Sequence, residues 1–169
     1  MNSQHQTLYV KENNGRYKLA HDEQVVESAV SIVDALYYCK DRKIIRNPSV
    51  ARESLYLRMH REHEVFVCMF LGTKHRVIDV CELFRGTIDN TSVPVREVVK
   101  DALKLNAAAL IVAHNHPSGI TDPSAADRSL TEALYVALGM VDVKLLDHFI
   151  FGEGGYDKAV SFAEMGVLP

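Results

Sequence analysis

Apolar positions at the start of the chain follow a period of two residues and then a helical period. Short β-prone runs at residues 7–10 and 16–19 flank Asn14-Gly15, a dipeptide typical of tight hairpin turns. Residues 22–38 carry apolar side chains at helical spacing, which predicts one amphipathic helix. We therefore predict a hairpin-helix extension over residues 1–46, whose helix packs on the main domain; a partner interface on that helix is the alternative.

The first part of the main domain, residues 47–169, predicts a helix and two strands. Asn47 can cap a helix that has Pro48 at its first position. The continuous apolar run at residues 65–71 predicts a strand buried on both faces, and the alternating segment 76–83 predicts its antiparallel neighbour.

The second part of the main domain alternates helices with strands. Helical patterns at residues 94–105 and beyond residue 123 alternate with apolar strands at residues 107–113 and 143–151. The core-facing positions expected on these helices are Val95, Val98, Val99, Ala102 and Leu103, then Ala126, Leu130, Ala133, Leu134, Ala137 and Leu138. The pattern predicts an α/β fold with a mixed, largely antiparallel sheet sandwiched by helices.

Composition and charge mainly argue against certain partners and kinds of site. The chain has 169 residues and 47% hydrophobic content, enough for one domain plus a small extension. A net charge of −3 gives no overall electrostatic support for nucleic acid or an anionic membrane as partner. Cys39, Cys68 and Cys81 are odd in number and far apart, so neither a disulfide framework nor a cysteine zinc site is indicated. With no signal peptide and no apolar run that could span a bilayer, we expect a cytoplasmic protein.

The most informative chemistry lies where the strand at residues 107–113 ends. His114 and His116 follow this strand directly, and residues two apart in extended backbone point to the same side. Pro117 and Gly119 suit a sharp reversal of the chain after them. Both imidazoles can therefore reach one point beyond the strand, as a pair of metal ligands would.

The helix that follows the reversal can supply the remaining groups. Asp122 can cap this helix, with Pro123 at its first position. Ser124 and Asp127 are three residues apart and hence on one face of its first turn. Two imidazole nitrogens, one carboxylate oxygen and a free fourth position form the ligand set of a catalytic zinc, although the same set can hold iron.

These residues together resemble a known signature. The segment from His114 to Gly119, followed by Pro123-Ser124 and Asp127, is similar to the JAMM motif of the MPN/JAB metallopeptidases in the version of the bacterial RadC family. The resemblance runs from about Asn47 to the C-terminus and implies the MPN/JAB fold, which is cytidine-deaminase-like. It also implies that His114, His116 and Asp127 bind one zinc ion and that Ser124 steadies an oxyanion. RadC proteins usually carry a helix-hairpin-helix segment that we do not find here, which weakens the transfer of a DNA-repair role.

A zinc hydrolase also needs a general base. Glu64 precedes the buried strand 65–71, where the catalytic glutamate of the MPN family stands, and we predict that it moves the proton. Glu62 is the competitor, and a solvated strand end is the structural alternative for Glu64. Ser124 could donate to the oxyanion, or it could serve only the helix start. His148 is expected to be a core or supporting histidine and not a ligand.

The sequence thus predicts a zinc-dependent peptidase or isopeptidase acting on a peptide or protein with a zinc-bound water. A zinc deaminase would require His-x-Glu together with Pro-Cys-x-x-Cys, and the sequence has no Pro-Cys-x-x-Cys. A RadC-like scaffold or DNA-repair accessory protein without turnover remains the alternative.

Overall fold

The computed structural model describes residues 8–12, 14–37, 44–86 and 93–168. Cys39 and the other residues from 38 to 43, which precede the predicted domain boundary at residue 46, lie outside this part of the chain. The helices are α1 (Asp22–Tyr37), α2 (Pro48–Met59), α3 (Val95–Lys104) and α4 (Ala125–Gly139). The strands are β1 (Tyr9–Lys11), β2 (Tyr17–Leu19), β3 (Glu64–Leu71), β4 (Val77–Gly86), β5 (Ala109–Asn115), β6 (Lys144–Phe151) and β7 (Val160–Ser161).

The main sheet is mixed and mostly antiparallel, with the strand order β4-β3-β5-β6-β7. β3 pairs antiparallel with both β4 and β5, and β6 pairs antiparallel with β7. β5 and β6 are parallel, with α4 as their crossover. β1 and β2 form a separate antiparallel hairpin.

Helices cover both faces of this sheet, which divides the core into two layers. Strand β3 alternates between them: Val65 and Val67 face α2, whereas Phe66 and Cys68 face α3 and α4. This alternation explains why β3 is almost uninterruptedly apolar. The predicted α/β fold with a mixed sheet between helices is confirmed.

Several local predictions are also confirmed. The Asn47 side chain accepts a hydrogen bond from the backbone N–H of Val50 at 3.0 Å and caps α2. The Asn14-Gly15 hairpin forms, with Gly15 at a φ of +82°. Cys68 and Cys81 are free thiols, and burial raises the pKa of both.

Other predictions require correction. Helix α4 begins two residues later than expected, because Ser124 and not Asp122 is its N-cap. The buried residues of α4 are Asp127, Thr131, Leu134 and Leu138, while Ala126 and Ala133 are exposed. Leu103 of α3 is 55% exposed, and β7 was not predicted. Leu134 and Leu138 are buried as predicted, and Leu130 and Ala137 are partly buried. The apolar pattern therefore located most of the inward face of α4 and missed its two polar members, Asp127 and Thr131.

The division of the chain at residue 46 stays a prediction. Among the described helices, none combines the length and apolar character that a membrane crossing would need.

Candidate metal centre

Three side chains meet where β5 ends and α4 begins. His114 is the penultimate residue of β5, His116 follows the strand, and Asp127 lies in the first turn of α4. The Nε2 atoms of His114 and His116 are 2.9 Å apart. The Asp127 carboxylate lies 3.1 Å from the first of these nitrogens and 3.6 Å from the second. One ligand atom of each residue lies within 4.8 Å of the others, so this group could hold a metal ion.

The ring orientation of His116 suits that purpose. Its Nδ1 lies 2.6 Å from the backbone carbonyl of Ile120. A carbonyl can only accept, so this nitrogen carries the proton, and in the neutral ring Nε2 presents a bare lone pair to Asp127. The nitrogen lone pair and the carboxylate face each other with no positive charge between them. A metal ion bound between them would supply that charge.

Protons can partly fill the same role in the metal-free protein. A hydrogen bond to Asp127 raises the pKa of His116 against the opposing effect of burial, and the charge of Glu64 adds to the rise. Burial would raise the pKa of Asp127, but its contacts with the His114 and His116 rings and the hydrogen bond from Ser124 hold that pKa well below its usual range. The site is therefore built to keep a carboxylate negative.

Behind the candidate ligands lies a buried histidine. His148 on β6 is fully buried, and burial lowers its pKa well below the usual value. Its Nε2 lies 2.8 Å from Nδ1 of His114, and its Nδ1 lies 2.7 Å from the hydroxyl of Thr131 on α4. His148 is thus a supporting residue, consistent with the sequence-based expectation.

Ser124 forms a capping box with Asp127. Its hydroxyl donates to Oδ2 of Asp127 at 2.6 Å and accepts from the Asp127 backbone N–H at 3.1 Å. The Ser124 backbone N–H donates to the same Oδ2 at 2.8 Å. The helix-start role of Ser124 is therefore present, and its hydroxyl also orients a candidate ligand; its contribution to an oxyanion site stays a prediction.

Glu64 is the first residue of β3 and is half-buried, while Glu62 is exposed in the preceding segment. Asn115, between the two candidate ligands, fixes this segment. Its Oδ1 accepts from the Val65 backbone N–H at 2.7 Å, and its Nδ2 donates to the carbonyls of Arg61 and His63. Asn115 thereby ties the segment that carries Glu62 and Glu64 to the strand end that carries the two candidate histidines. The assignment of the base stays a prediction.

The loop after β5 is fastened to the chain after β6. The backbone N–H of His116 donates to the Phe151 carbonyl at 2.7 Å, and that of Glu153 donates to the Gly119 carbonyl at 3.1 Å. A Cβ on Gly152 would lie 2.3 Å from the Gly119 carbonyl oxygen. Only glycine at position 152 allows this close approach, which holds the loop that carries His116 and Ile120.

A cleft of about 930 Å³ borders the centre. Its walls include the start of α1, the segment before β3, and the loop that contains His116. His63 is half-buried on this wall, and its Nε2 has no hydrogen-bond partner. The N-terminal helix therefore takes part in shaping the approach to the candidate ligands.

Sequence reasoning missed Thr131, the Ile120 carbonyl and Gly152. Thr131 lies four residues after Asp127, a spacing that marks the same helix face and could have indicated it. Every residue has a backbone carbonyl, so residue type could not indicate the role of the Ile120 carbonyl. The role of Gly152 can be inferred only when its neighbour across the loop, Gly119, is known.

Comparison with known proteins gives one consistent result. A family model described as RadC-like JAB domain matches residues 45–167. A UPF0758 protein of Leptothrix cholodnii is 52% identical over 128 residues, covering 75% of this chain and 56% of the relative. One from Halorhodospira halophila is 58% identical over 123 residues, with 71% and 54% coverage. One from Marinobacter nauticus is 46% identical over 167 residues, with 98% and 72% coverage. The chain spans just over half the length of the first two.

Proposed function

Because this chain belongs to the RadC-like JAB domain family, we propose that it is a zinc-dependent hydrolase of the JAMM metallopeptidase type. It cleaves a peptide or isopeptide bond in a peptide or protein. The proposal rests on one observation, the convergence of His114, His116 and Asp127 from two elements on a common point beside an open cleft. A catalytic zinc has three protein ligands and a free fourth position, which this set supplies.

When bound, zinc acts as a Lewis acid and lowers the pKa of a coordinated water to about 7. The residues of the chain do the rest. Glu64 takes a proton from the water whose oxygen attacks the carbonyl carbon, and it returns that proton to the leaving nitrogen as the C–N bond breaks. The pKa effect of Glu64 on His116 supports its proximity to the reacting atoms.

Ser124 has two roles in this proposal. Its hydroxyl orients Asp127 in the resting site, where it donates to Oδ2. During reaction it turns this hydrogen bond toward the oxyanion of the tetrahedral intermediate, which stabilises the transition state by about 3–4 kcal/mol in comparable sites. The cleft beside His116 receives the substrate chain.

Elemental analysis of untagged protein tests the metal. We expect about one zinc per wild-type chain and none in Asp127→Ala. Asp127→Asn is the second variant, because its side-chain oxygen can still accept the capping hydrogen bond. Wild-type protein that is folded but binds no zinc, even after incubation with the metal, would overturn the proposal.

Two glutamate variants test the base. Glu64→Gln should retain zinc and lower turnover of a cleavable peptide or isopeptide substrate by about 10²- to 10⁴-fold. Glu62→Gln is the matched control and should retain both zinc and turnover. Loss of turnover in Glu62→Gln alone would transfer the base assignment to Glu62.

The scaffold alternative makes a different prediction. Salt-dependent DNA binding that Asp127→Ala leaves unchanged, together with no hydrolysis of any substrate tested, would favour a binding role. The formal net charge of −3 gives that alternative no general electrostatic support.

A further inference from the structure

A chain of short hydrogen bonds runs behind the metal centre. The Thr131 hydroxyl lies 2.6 Å from the backbone carbonyl of Asp127 and 2.7 Å from Nδ1 of His148. On the other side of the same ring, Nε2 of His148 lies 2.8 Å from Nδ1 of His114. This series of hydrogen bonds therefore connects the backbone of one candidate ligand, Asp127, to the ring of another, His114.

The direction of the first bond follows from its acceptor. Thr131 has one hydroxyl proton, and the Asp127 carbonyl can only accept. The proton therefore points to that carbonyl, and the Thr131 oxygen is left as an acceptor. Nδ1 of His148 must donate to it, so this nitrogen carries a proton.

The second bond follows from the burial of His148. Its side chain has no exposed surface, and its ring nitrogens contact Thr131 and His114, neither of which is a carboxylate. A buried cation without a hydrogen-bonded counter-charge is costly, so the ring is neutral. Its one N–H proton is already on Nδ1, and its bare Nε2 accepts a proton from Nδ1 of His114.

These assignments leave Nε2 of His114 without a proton. That atom faces Oδ1 of Asp127 at 3.1 Å and Nε2 of His116 at 2.9 Å. Nδ1 of His116 likewise carries a proton, because it faces the carbonyl of Ile120. Phe162 stacks on the His148 ring with centroids 4.9 Å apart, which keeps that ring in the orientation that its two hydrogen bonds require.

We infer that Thr131 and His148 are positioning residues that fix the tautomer of His114, so that its metal-facing nitrogen is always the unprotonated one. The benefit for metal binding rests on the function proposed above, but the tautomer of His114 is a property of the metal-free protein. Outer partners of this kind typically change metal affinity by about 10- to 100-fold when they are removed.

Thr131→Val tests the inference. Without the hydroxyl, the Nδ1–H of His148 has no acceptor, and His148 avoids this buried unsatisfied donor by moving its proton to Nε2 and donating it to Nδ1 of His114. His114 then carries its own proton on Nε2, which must leave before a metal can bind. We expect a zinc affinity about 10- to 100-fold below wild type in competition with a chromophoric chelator. Thr131→Ser keeps the hydroxyl and should keep the affinity.

A second readout does not depend on metal. Long-range ¹H–¹⁵N spectra of the metal-free protein distinguish protonated from bare ring nitrogens. In wild type and Thr131→Ser, His114 should carry its proton on Nδ1, and in Thr131→Val it should carry it on Nε2. A merely structural role for Thr131 would not exchange these two signals.

The outcomes separate this inference from the proposed function. An unchanged His114 tautomer and equal zinc affinity in Thr131→Val overturn the inference. The expected tautomer exchange in a wild-type background that binds no zinc supports the inference and overturns the proposed function. If Thr131→Val does not fold, Thr131→Ala removes the hydroxyl without adding a methyl group, and the same two measurements apply.

Discussion

At the scale of single residues, two buried aspartates have opposite pKa shifts. The neighbouring rings of His114 and His116 lower the pKa of Asp127, although burial opposes them. Burial raises the pKa of Asp147, although Ser161 and two backbone N–H groups donate to its carboxylate. The environment of Asp127 thus favours a negative carboxylate at a candidate metal site. Asp147 instead holds the C-terminal segment by hydrogen bonds on the opposite face of the sheet.

The raised pKa of Asp147 predicts a pH-dependent stability. The folded protein holds this proton more tightly than the unfolded chain, so the stabilisation is fully present below the ordinary value of 3.8 and is lost as pH rises through the folded pKa. Asp147→Asn cannot ionise but retains an oxygen acceptor. In urea unfolding of metal-free protein between about pH 3.5 and pH 6, wild type should lose stability relative to Asp147→Asn as pH rises. A difference that does not change with pH would contradict the shift.

At the scale of elements, the site depends on how strand ends and loops are joined. β5 delivers His114, and the loop after it must turn back so that the Ile120 carbonyl meets His116. The contact between Gly119 and Gly152 holds this turn in place. The loop conformation is therefore a property of two segments together.

Gly152→Ala should disturb the contact between Gly119 and Gly152. Its Cβ would collide with the Gly119 carbonyl oxygen, so we expect the free energy of unfolding to fall by about 1–3 kcal/mol and zinc affinity to fall with it. Gly139→Ala is the control, because a Cβ at Gly139 has no neighbour within 4 Å. It should leave the affinity unchanged and the stability equal or slightly higher. Equal stability of both variants in urea unfolding would show that the Gly152 contact relaxes without cost.

At the scale of the whole molecule, a bound metal would link the sheet to α4. His114 belongs to β5, and Asp127 belongs to the helix that crosses over to β6. Because an unfolded chain does not preserve this arrangement, zinc should bind the folded state selectively and stabilise the whole fold. The cleft beside the site also includes the start of α1, so the N-terminal helix and the main domain shape it jointly.

Metal removal should therefore lower the melting temperature. At a free zinc concentration about 100-fold above the dissociation constant, selective binding contributes about 2.7 kcal/mol. For a chain of this size, that corresponds to a shift of about 5–10 °C in thermal unfolding with and without a chelator. Asp127→Ala should show no such shift. An equal shift in that variant would place the stabilising metal elsewhere.

Features that depend on short-range physics could be predicted from the sequence. The apolar run of β3, the Asn47 cap of α2, and the same-side placement of His114 and His116 depend on residues close together in the chain. These are local periodicities and capping hydrogen bonds, and they do not need the rest of the fold. The candidate ligand set could be predicted for this reason.

The groups behind those ligands depend on contacts between distant parts of the fold. His148 meets His114 because β5 and β6 are parallel neighbours in one particular register, and Thr131 meets His148 because α4 packs on that face. A shift of one residue in that register would turn His148 to the other face of the sheet. Strand register and helix packing are set by contacts between distant segments, so no local pattern could have specified how the protons of the site are arranged.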